Sequence, residues 1–311
     1  MTLPPRVVLV HRKTEFDELI ERHGTRGQAA FFLSGRGQSI DPVQDRHRAV
    51  QAALAAVSAA VPADWRRGLV ERADLPRWSF APGDIVVVVG QDGLVANLAR
   101  YVDGQPVIGI NPEPQRNPGV LVPHAPAAAG PLLVAAASQL AGSPAGSPAG
   151  RSAGSGIEEL AMVQAVADDG QRLVGLNEVF IGQPTHQTAR YTLAVPDGTA
   201  ERQASSGLIV CTGTGATGWG RSAWLERHSA VDLPGPADRR LAWFVREAWP
   251  SPVTGAACTE GALGAGESIG LSVESDRLVA FCDGIESDAV SLASGQRVIV
   301  GLADRKLRLV R

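Results

Sequence analysis

A glycine-flanked aspartate follows the most apolar segment of the chain. Ile85-Val86-Val87-Val88-Val89 runs directly into Gly90-Gln91-Asp92-Gly93, hereafter the first glycine turn. Glycines let a backbone approach a bound group closely, and the start of a following helix offers free N–H groups to phosphate. An aspartate there would repel phosphate unless it accepts a proton from an attacking hydroxyl or helps to hold a divalent ion. An ordinary Asp-Gly turn is the alternative interpretation.

A second glycine turn is formed by residues 213–218, Gly-Thr-Gly-Ala-Thr-Gly. It follows an apolar predicted strand at 207–211 and precedes a possible helix from Trp219, which is the context of a dinucleotide-binding fingerprint. No second strand–helix repeat follows, and the next acidic residues, Asp232 and Asp238, lie in a Pro/Gly-rich loop. A turn that contacts a nucleotide is therefore favoured over a true Rossmann site. A tight turn without a ligand is the remaining alternative.

Other catalytic patterns are weak in this sequence. Residues 150–154 fit Gly-x-Ser-x-Gly, but they lie in a Ser/Pro/Gly tract rather than between a strand and a helix. Lys13 and Lys306 are the only lysines, and neither follows a phosphate-binding loop of the Walker type. The six histidines form no HExxH pattern and the three cysteines form no CxxC pair, so zinc and disulfide scaffolds have no support.

Composition limits the class of protein. The 311 residues carry a net charge of −3, so no global field favours nucleic acid or an anionic membrane. The longest apolar stretches fall short of the roughly 20 residues that a membrane span needs. The first predicted strand begins by residue 6, which predicts neither a secretory signal nor a transit peptide. We therefore expect a cytoplasmic protein.

These candidate sites require two kinds of domain. The first 140 residues alternate between strand and helix patterns, which predicts an α/β domain with a parallel sheet whose ligand edge includes the loop after residue 89. The predicted strands are 6–10, 85–89 and 106–110, and the predicted helices run from Thr14 to near Gly24, from Asp41 to Ala60 and over 94–102. Residues 141–156 are low in complexity and predict a flexible segment.

Residues 157–311 predict a mainly β domain. Short apolar segments recur at turn spacing, separated in places by Asp-Gly pairs. The predicted strands lie near 160–167, 172–181, 188–195, 207–211, 269–273, 278–282 and 297–300.

Four motifs in chain order resemble those of the NAD kinase family. That family has a GGDG turn after a hydrophobic strand, a PxxGxN strand, an Asn-Glu pair and a Thr- and Gly-rich turn. The matching segments are residues 90–93, 106–111, 176–182 and 205–215. The closest resemblance is to the mitochondrial-type branch and its bacterial relatives, whose N-x-(D/E)-P-x-R segment and downstream Trp match residues 111–116 and Trp219. A weaker similarity continues at residues 245–247 and 282–284.

The resemblance implies a two-domain kinase with its site between the domains. ATP, with Mg²⁺, would supply its terminal phosphoryl group to the 2′-hydroxyl of the adenosine ribose of NAD, giving NADP. Asp92 would accept the hydroxyl proton, so Asp92→Asn is expected to abolish activity with little change in thermal unfolding. Gly90, Gln91 and Gly93 would bind the donor phosphates. The acceptor-binding residues that it implies are Asn177, Glu178, Thr212, Thr214, Gly215, Thr217, Trp219 and Ser222.

The resemblance also implies small-molecule nucleotides as partners and a homodimer; it assigns no metal ligand. Two departures from the family pattern leave the acceptor open: Gln91 replaces a glycine, and Leu94 replaces the usual threonine. The alternatives are a kinase of the same fold acting on a lipid, a sugar or a modified nucleoside, and a nucleotide-binding sensor without catalysis. A hydride-transferring oxidoreductase built on the second glycine turn is less favoured.

Overall fold

The computed structural model describes residues 4–142 and 156–311, except for the side chains of residues 141 and 142. The chain forms two compact units, one running to Glu158 and including Arg308–Arg311, the other comprising Glu159–Leu307. The Gly-x-Ser-x-Gly pattern and most of the predicted flexible segment lie outside the described residues. Within the described ranges, no helix has the length and apolar character that crossing a membrane requires.

A six-stranded sheet forms the centre of the first unit. The helices and strands up to its border are β1 (Arg6–His11), α1 (Glu15–His23), α2 (Arg26–Ser34), α3 (Asp41–Ala60), β2 (Arg66–Glu71), β3 (Asp84–Val89), α4 (Asp92–Ala99), β4 (Pro106–Ile110), α5 (Ala129–Gly142) and β5 (Ile157–Leu160). The strand order is β2-β1-β3-β4-β18-β5, and β18 (Leu307–Val310) comes from the end of the chain. The last strand of the region predicted as the β domain therefore lies in this first sheet.

Burial explains the apolar sequence of β3. It pairs in parallel with β1 and β4, and all six of its residues are buried. Ile85, Val87 and Val89 pack in a core with Val57 of α3 and Leu133 of α5. A strand covered on both faces needs a continuous apolar sequence rather than an alternating one. Because β1, β3 and β4 are parallel, their carboxyl ends meet at one sheet edge, where the first glycine turn follows β3.

The helix ends follow local signals in the sequence. Thr14 and Asp17 form a capping box at the start of α1, and Gly24 closes that helix with φ +79°. The predicted helix at 94–102 is shifted: α4 begins at Asp92 and ends at Ala99. The N-cap of α3 is Ile40, so Asp41 is the first helical residue rather than the cap.

The second unit is built from two antiparallel sheets. Its strands and helix after β5 are β6 (Val163–Ala167), β7 (Arg172–Gly175), β8 (Glu178–Gly182), β9 (Ala189–Ala194), β10 (Ala200–Ser205), β11 (Gly207–Cys211), α6 (Trp219–Glu226), β12 (Leu241–Arg246), β13 (Glu260–Leu263), β14 (Ser268–Val273), β15 (Arg277–Cys282), β16 (Val290–Ala293) and β17 (Arg297–Leu302). One sheet has the order β10-β9-β14-β17-β6-β7 and the other the order β13-β12-β11-β8-β15-β16.

The two sheets share one hydrophobic core and differ in their outer faces. Residues of β6, β9, β14 and β17 pack with residues of β8, β11, β12 and β15 in that core. The sheet that contains β11 buries its other face as well, where Ile209 and Phe244 pack with Ala223 of α6. This double coverage explains why β8 and β11 are buried throughout, whereas β6 and β9 alternate.

Candidate functional site

The first glycine turn connects β3 to α4. Gly90 donates its N–H to the carbonyl of Ile110 (3.0 Å), which ties the turn to the end of the neighbouring strand. Gln91 is the N-cap residue of α4; its backbone is extended, its side chain makes no capping bond and it is exposed. A Cβ on Gly93 would meet nothing within 4 Å. The N–H groups at the start of α4 therefore face open space that a phosphate group can enter.

The Asp92 carboxylate binds three consecutive main-chain N–H groups. Oδ1 accepts from Leu121 (2.7 Å) and Val122 (3.1 Å), and Oδ2 accepts from Val120 (2.9 Å). A carboxylate offers about four acceptor positions, so Oδ2 retains one for a further donor. Asp92 thus anchors the segment after β4 as well as being placed in the turn. The expectation that Asp92→Asn leaves thermal unfolding almost unchanged is revised for this reason.

The segment that Asp92 anchors begins with the motif at residues 111–116. The Asn111 side chain accepts from the Glu113 N–H (2.9 Å) and donates to the Asn117 carbonyl (2.7 Å), so it closes this loop from inside. Asn111 itself is buried. The asparagine of the motif therefore has a structural task, while Arg116 at its end is exposed.

The second glycine turn follows β11 in an antiparallel sheet, between β8 and β12. It is therefore not the βαβ turn of a Rossmann fold. Thr212 organises it: its hydroxyl donates to the Leu176 carbonyl (2.6 Å) and accepts from the N–H groups of Thr214 (3.1 Å) and Gly215 (3.2 Å). Thr212 is fully buried, so it supports the turn and has no surface for a ligand.

Close backbone packing explains two of the glycines. A Cβ on Gly213 would lie 1.9 Å from the Gly235 carbonyl oxygen, and one on Gly215 would lie 2.1 Å from the Asn177 carbonyl oxygen. No side chain fits at such distances. The Thr212 N–H also donates to the Asn177 carbonyl (2.9 Å). The structure therefore brings the second glycine turn into contact with the segment of residues 176–178, hereafter the Asn-Glu turn.

Asp283 holds the Asn-Glu turn in the same way that Asp92 holds its own loop. Its carboxylate accepts from the N–H groups of Leu176 (2.9 Å), Asn177 (2.7 Å) and Glu178 (3.3 Å). Asp283 has φ +54°, a conformation that few residues other than glycine adopt. The sequence did not single it out as a site residue. The signal was an Asp-Gly pair directly after an apolar strand, the same pattern as Asp92-Gly93.

Glu178 is buried beside a second carboxylate. It is 7% exposed, and burial, with the negative charge of Asp283 as a smaller cause, raises the pKa of its carboxyl to about 7. Near neutral pH this side chain therefore exists in both protonation states. A carboxyl of this kind can donate to or accept from the hydroxyl groups of a ligand.

The raised pKa of Glu178 predicts a pH-dependent effect on stability. Between about pH 4.5 and pH 7 the folded protein holds a proton that the unfolded chain releases, so the free energy of unfolding falls as pH rises through this window. Glu178→Gln is always neutral and should escape that loss. Its free energy of unfolding should exceed that of the wild type by about 1–3 kcal/mol at pH 8, with little difference at pH 5.

Denaturant unfolding at both pH values checks this prediction. Glu286→Gln is the matched control, because Glu286 is an exposed glutamate of the same unit and its replacement should change stability equally little at both pH values. A Glu178→Gln protein no more stable than the wild type at pH 8 would show that the buried carboxylate is not penalised.

Thr214 carries a buried hydroxyl without a partner. The residue is 4% exposed, and among the described residues nothing lies within hydrogen-bond distance of its Oγ1. Buried polar groups are nearly always paired, so an exception calls for an explanation. Thr217 differs: it is exposed, and its hydroxyl donates to the Thr214 carbonyl (2.8 Å).

Trp219 and Ser222 begin α6. The Trp219 ring is half-buried, stacks on Phe180 with centroids 5.4 Å apart, and has the Arg246 Cζ 5.5 Å from its centroid. Its packing role is therefore established by contacts, and a planar ligand would have to use what remains exposed. Ser222 is exposed, and its N–H donates to the Gly218 carbonyl (3.1 Å).

The predicted residues fall into two groups, one in each unit. Residues 90–93 belong to the first unit. The second unit holds the acceptor-binding set, in which Asn177, Thr212 and Gly215 are in direct contact. Within the described ranges no three His, Cys, Asp or Glu side chains converge to hold a metal ion.

Comparisons with known proteins agree with the motifs. The chain is 29% identical over 182 residues to rat mitochondrial NAD kinase 2 and 27% identical over 197 residues to the Xenopus tropicalis protein. Each match covers 49% of this chain, and 43% and 46% of those relatives, so the matched region is less than half of their length. A stretch of 45 residues is 53% identical to human mitochondrial NAD kinase 2, covering 14% of this chain and 10% of that protein. No protein-family model matches.

The fold has a solved counterpart. The crystal structure of an NAD kinase from Archaeoglobus fulgidus in complex with ATP superposes with a TM-score of 0.57 over 98% of this chain and 93% of that chain, at 14% sequence identity. The predicted fold class, an α/β unit followed by a mainly β unit, is confirmed, and so is the resemblance on which it was based.

Proposed function

We propose that this chain, a divergent relative of the NAD kinases, transfers the terminal phosphoryl group of ATP to the 2′-hydroxyl of the adenosine ribose of NAD. The relatives in sequence and the neighbour in fold support kinase activity of this general kind. The observation that carries the finer proposal is the Asp92 carboxylate, which is fixed by three N–H groups and retains an acceptor position on Oδ2.

The chemistry assigned to Asp92 is proton acceptance. The acceptor oxygen forms a bond to the γ-phosphorus while the bond from that phosphorus to the β–γ bridging oxygen breaks, and ADP leaves. The hydroxyl proton passes to Oδ2 of Asp92. Such a positioned base contributes about 10²–10⁴-fold to rate, and the remaining catalysis in phosphoryl transfer is positioning and charge stabilisation.

The first glycine turn is assigned to the donor. The N–H groups at the start of α4 and the open space at Gly93 suit the donor phosphates, with Gly90 and Gln91 shaping the approach. Mg²⁺ typically binds through one or two carboxylates together with substrate phosphates. Asp92 and the donor phosphates fit that pattern, and the ion when bound would neutralise phosphate charge.

The Asn-Glu turn and the second glycine turn are assigned to the acceptor. Asn177 and Glu178 supply a donor and several acceptors for ribose hydroxyls, and the unpartnered Thr214 hydroxyl adds one more polar group. The exposed Thr217 and Ser222 and the half-buried Trp219 lie on the same segment. Sites that pair with a hydroxyl strongly reject analogues that lack it.

The unpartnered hydroxyl predicts opposite effects on stability and binding. Thr214→Val keeps the shape and removes a buried unsatisfied group, so the free energy of unfolding should rise by about 1 kcal/mol. If that hydroxyl binds the acceptor, KM for NAD should rise about fivefold to tenfold. Thermal unfolding and steady-state kinetics measure the two effects.

Thr212→Val is the matched control. The Thr212 hydroxyl makes three hydrogen bonds within the protein, so its removal should lower stability. A Thr214→Val protein that is less stable than the wild type, or whose KM for NAD is unchanged, would contradict the role given to this hydroxyl.

The activity itself is tested with labelled ATP and a panel of acceptors. The purified chain should label NAD in the presence of Mg²⁺ and not in the presence of excess EDTA. The second candidate is phosphorylation of another hydroxyl, and the observation that favours it is the exposed Gln91 in place of a glycine. Labelling of a lipid, sugar or modified nucleoside in preference to NAD would establish that candidate. Nucleotide binding without any labelling would indicate a sensor.

Two further properties belong to this proposal by resemblance. A homodimer is expected, which sedimentation can measure. The cytoplasm is expected from the sequence pattern at the N-terminus, although the curated relatives are mitochondrial proteins by name.

A further inference from the structure

A groove lies beside the end of α1 and one face of α2, apart from every residue assigned above to donor or acceptor binding. Its volume is about 600 Å³, which is within the range of small-molecule sites. Arg22 and His23 line it from α1, and Gln28, Phe31 and Phe32 line it from α2, with Arg36 just beyond that helix.

Cationic groups line the groove without any carboxylate. The Arg36 Cζ lies 3.7 Å from the centroid of the Phe32 ring, and its Nη1 donates to the Phe32 carbonyl (3.0 Å). The guanidinium is therefore held in place by the protein itself. In residues 4–142 and 156–311, neither Arg36 nor Arg22 has a carboxylate within ion-pair distance. Cations are favourable near helix ends, but that effect does not require an empty groove beside them.

Aromatic surface is exposed in the same place. Phe31 is 81% exposed, although phenylalanine is normally buried. The His23 ring lies against Phe32 with centroids 4.3 Å apart, and its Nε2 is covered without a hydrogen-bond partner among the described residues. The groove therefore combines a free aromatic face, two unpaired guanidinium groups and the amide of Gln28.

We propose that this groove binds a purine nucleoside monophosphate. The base stacks on Phe31 and the Gln28 amide bonds its polar edge, while Arg22 and Arg36 bind the phosphate. Guanidinium groups recognise phosphate through several parallel hydrogen bonds, and aromatic side chains accept the face of any base. A doubly charged phosphate matches two cations from two different elements. The proposal is independent of the phosphotransfer chemistry, because the two sites share no residue.

The test observes the groove directly. The six histidines permit a histidine-labelled NMR spectrum in which His23→Gln identifies the His23 signal. Titration with AMP should shift that signal saturably, and adenosine and inorganic phosphate should each bind at least about tenfold more weakly. Phe31→Ala and Arg36→Gln should each weaken AMP binding about tenfold. Arg48→Ala, which changes an arginine with a 67% exposed side chain on α3, should not.

Several results would overturn the proposal. They are a His23 signal that AMP does not move, an Arg36→Gln protein that binds AMP as the wild type does, and adenosine binding as tightly as AMP. A shift produced by raising the protein concentration alone would assign the groove to a second copy of the chain instead. None of these results bears on NADP formation, which the acceptor panel measures separately.

Discussion

Asp92→Asn should lower kcat for phosphoryl transfer by about 10²–10⁴-fold, the contribution of a positioned base. It should also destabilise the protein. An asparagine keeps one acceptor oxygen and turns an NH₂ group toward N–H donors that the carboxylate now satisfies at Val120, Leu121 and Val122. Loss of these bonds should cost about 1–3 kcal/mol in the free energy of unfolding. Steady-state kinetics and denaturant unfolding measure the two effects.

Asp283→Asn separates catalysis from anchoring. Asp283 also binds three consecutive N–H groups, so its variant should lose a similar amount of stability. Since those groups belong to the Asn-Glu turn, the kinetic effect should appear chiefly as a higher KM for the acceptor. If Asp92→Asn keeps at least about half of the wild-type kcat while its stability falls, Asp92 is only an anchor and the proton acceptor is another group.

Gly215→Ala should destabilise the second unit by at least about 3 kcal/mol, at the upper end of overpacking effects. The added Cβ would lie 2.1 Å from the carbonyl oxygen of Asn177 and 3.1 Å from the Cβ of Cys211, so backbone must move. Movement would separate the second glycine turn from the Asn-Glu turn. Acceptor binding should therefore be lost together with stability, as thermal unfolding and NAD titration would show.

Gly270→Ala is the control for this substitution. Its Cβ would lie 3.6 Å from Ala194, an ordinary contact, and the backbone of β14 is extended. Its stability should change by less than about 1 kcal/mol. A Gly215→Ala protein that unfolds at the wild-type temperature and binds NAD normally would contradict the close packing of the two turns.

Local sequence patterns predicted the elements that carry strong signals. The apolar run at 85–89 gave β3, and the Thr14 capping box and Gly24 gave α1. Less regular elements were missed. Strand β2 includes two arginines and an exposed leucine because it is an edge strand, and β10 is largely polar. The placement of β18 in the first sheet depends on a pairing about 200 residues distant in sequence with β4, which no local pattern reports.

The site shows the same division. Motif order was sufficient to find the first glycine turn, the Asn-Glu turn and the second glycine turn. It could not show that Asp92 and Asp283 each bind three main-chain N–H groups, because those partners lie 28 to 30 and 105 to 107 residues away in the sequence. It also could not distinguish Thr212, whose hydroxyl is fully used, from Thr214, whose hydroxyl is free among the described residues. These distinctions depend on tertiary contacts.

The central claim is that the Asp92 carboxylate receives the proton of the acceptor hydroxyl. A crystal structure of the chain with NAD bound tests it most directly. The account predicts the 2′-oxygen of the adenosine ribose within hydrogen-bond distance of Asp92 Oδ2, about 2.6–3.2 Å, with the ribose held by Asn177 and Glu178. NAD bound with that oxygen remote from Asp92, or with a different hydroxyl beside it, would contradict the account.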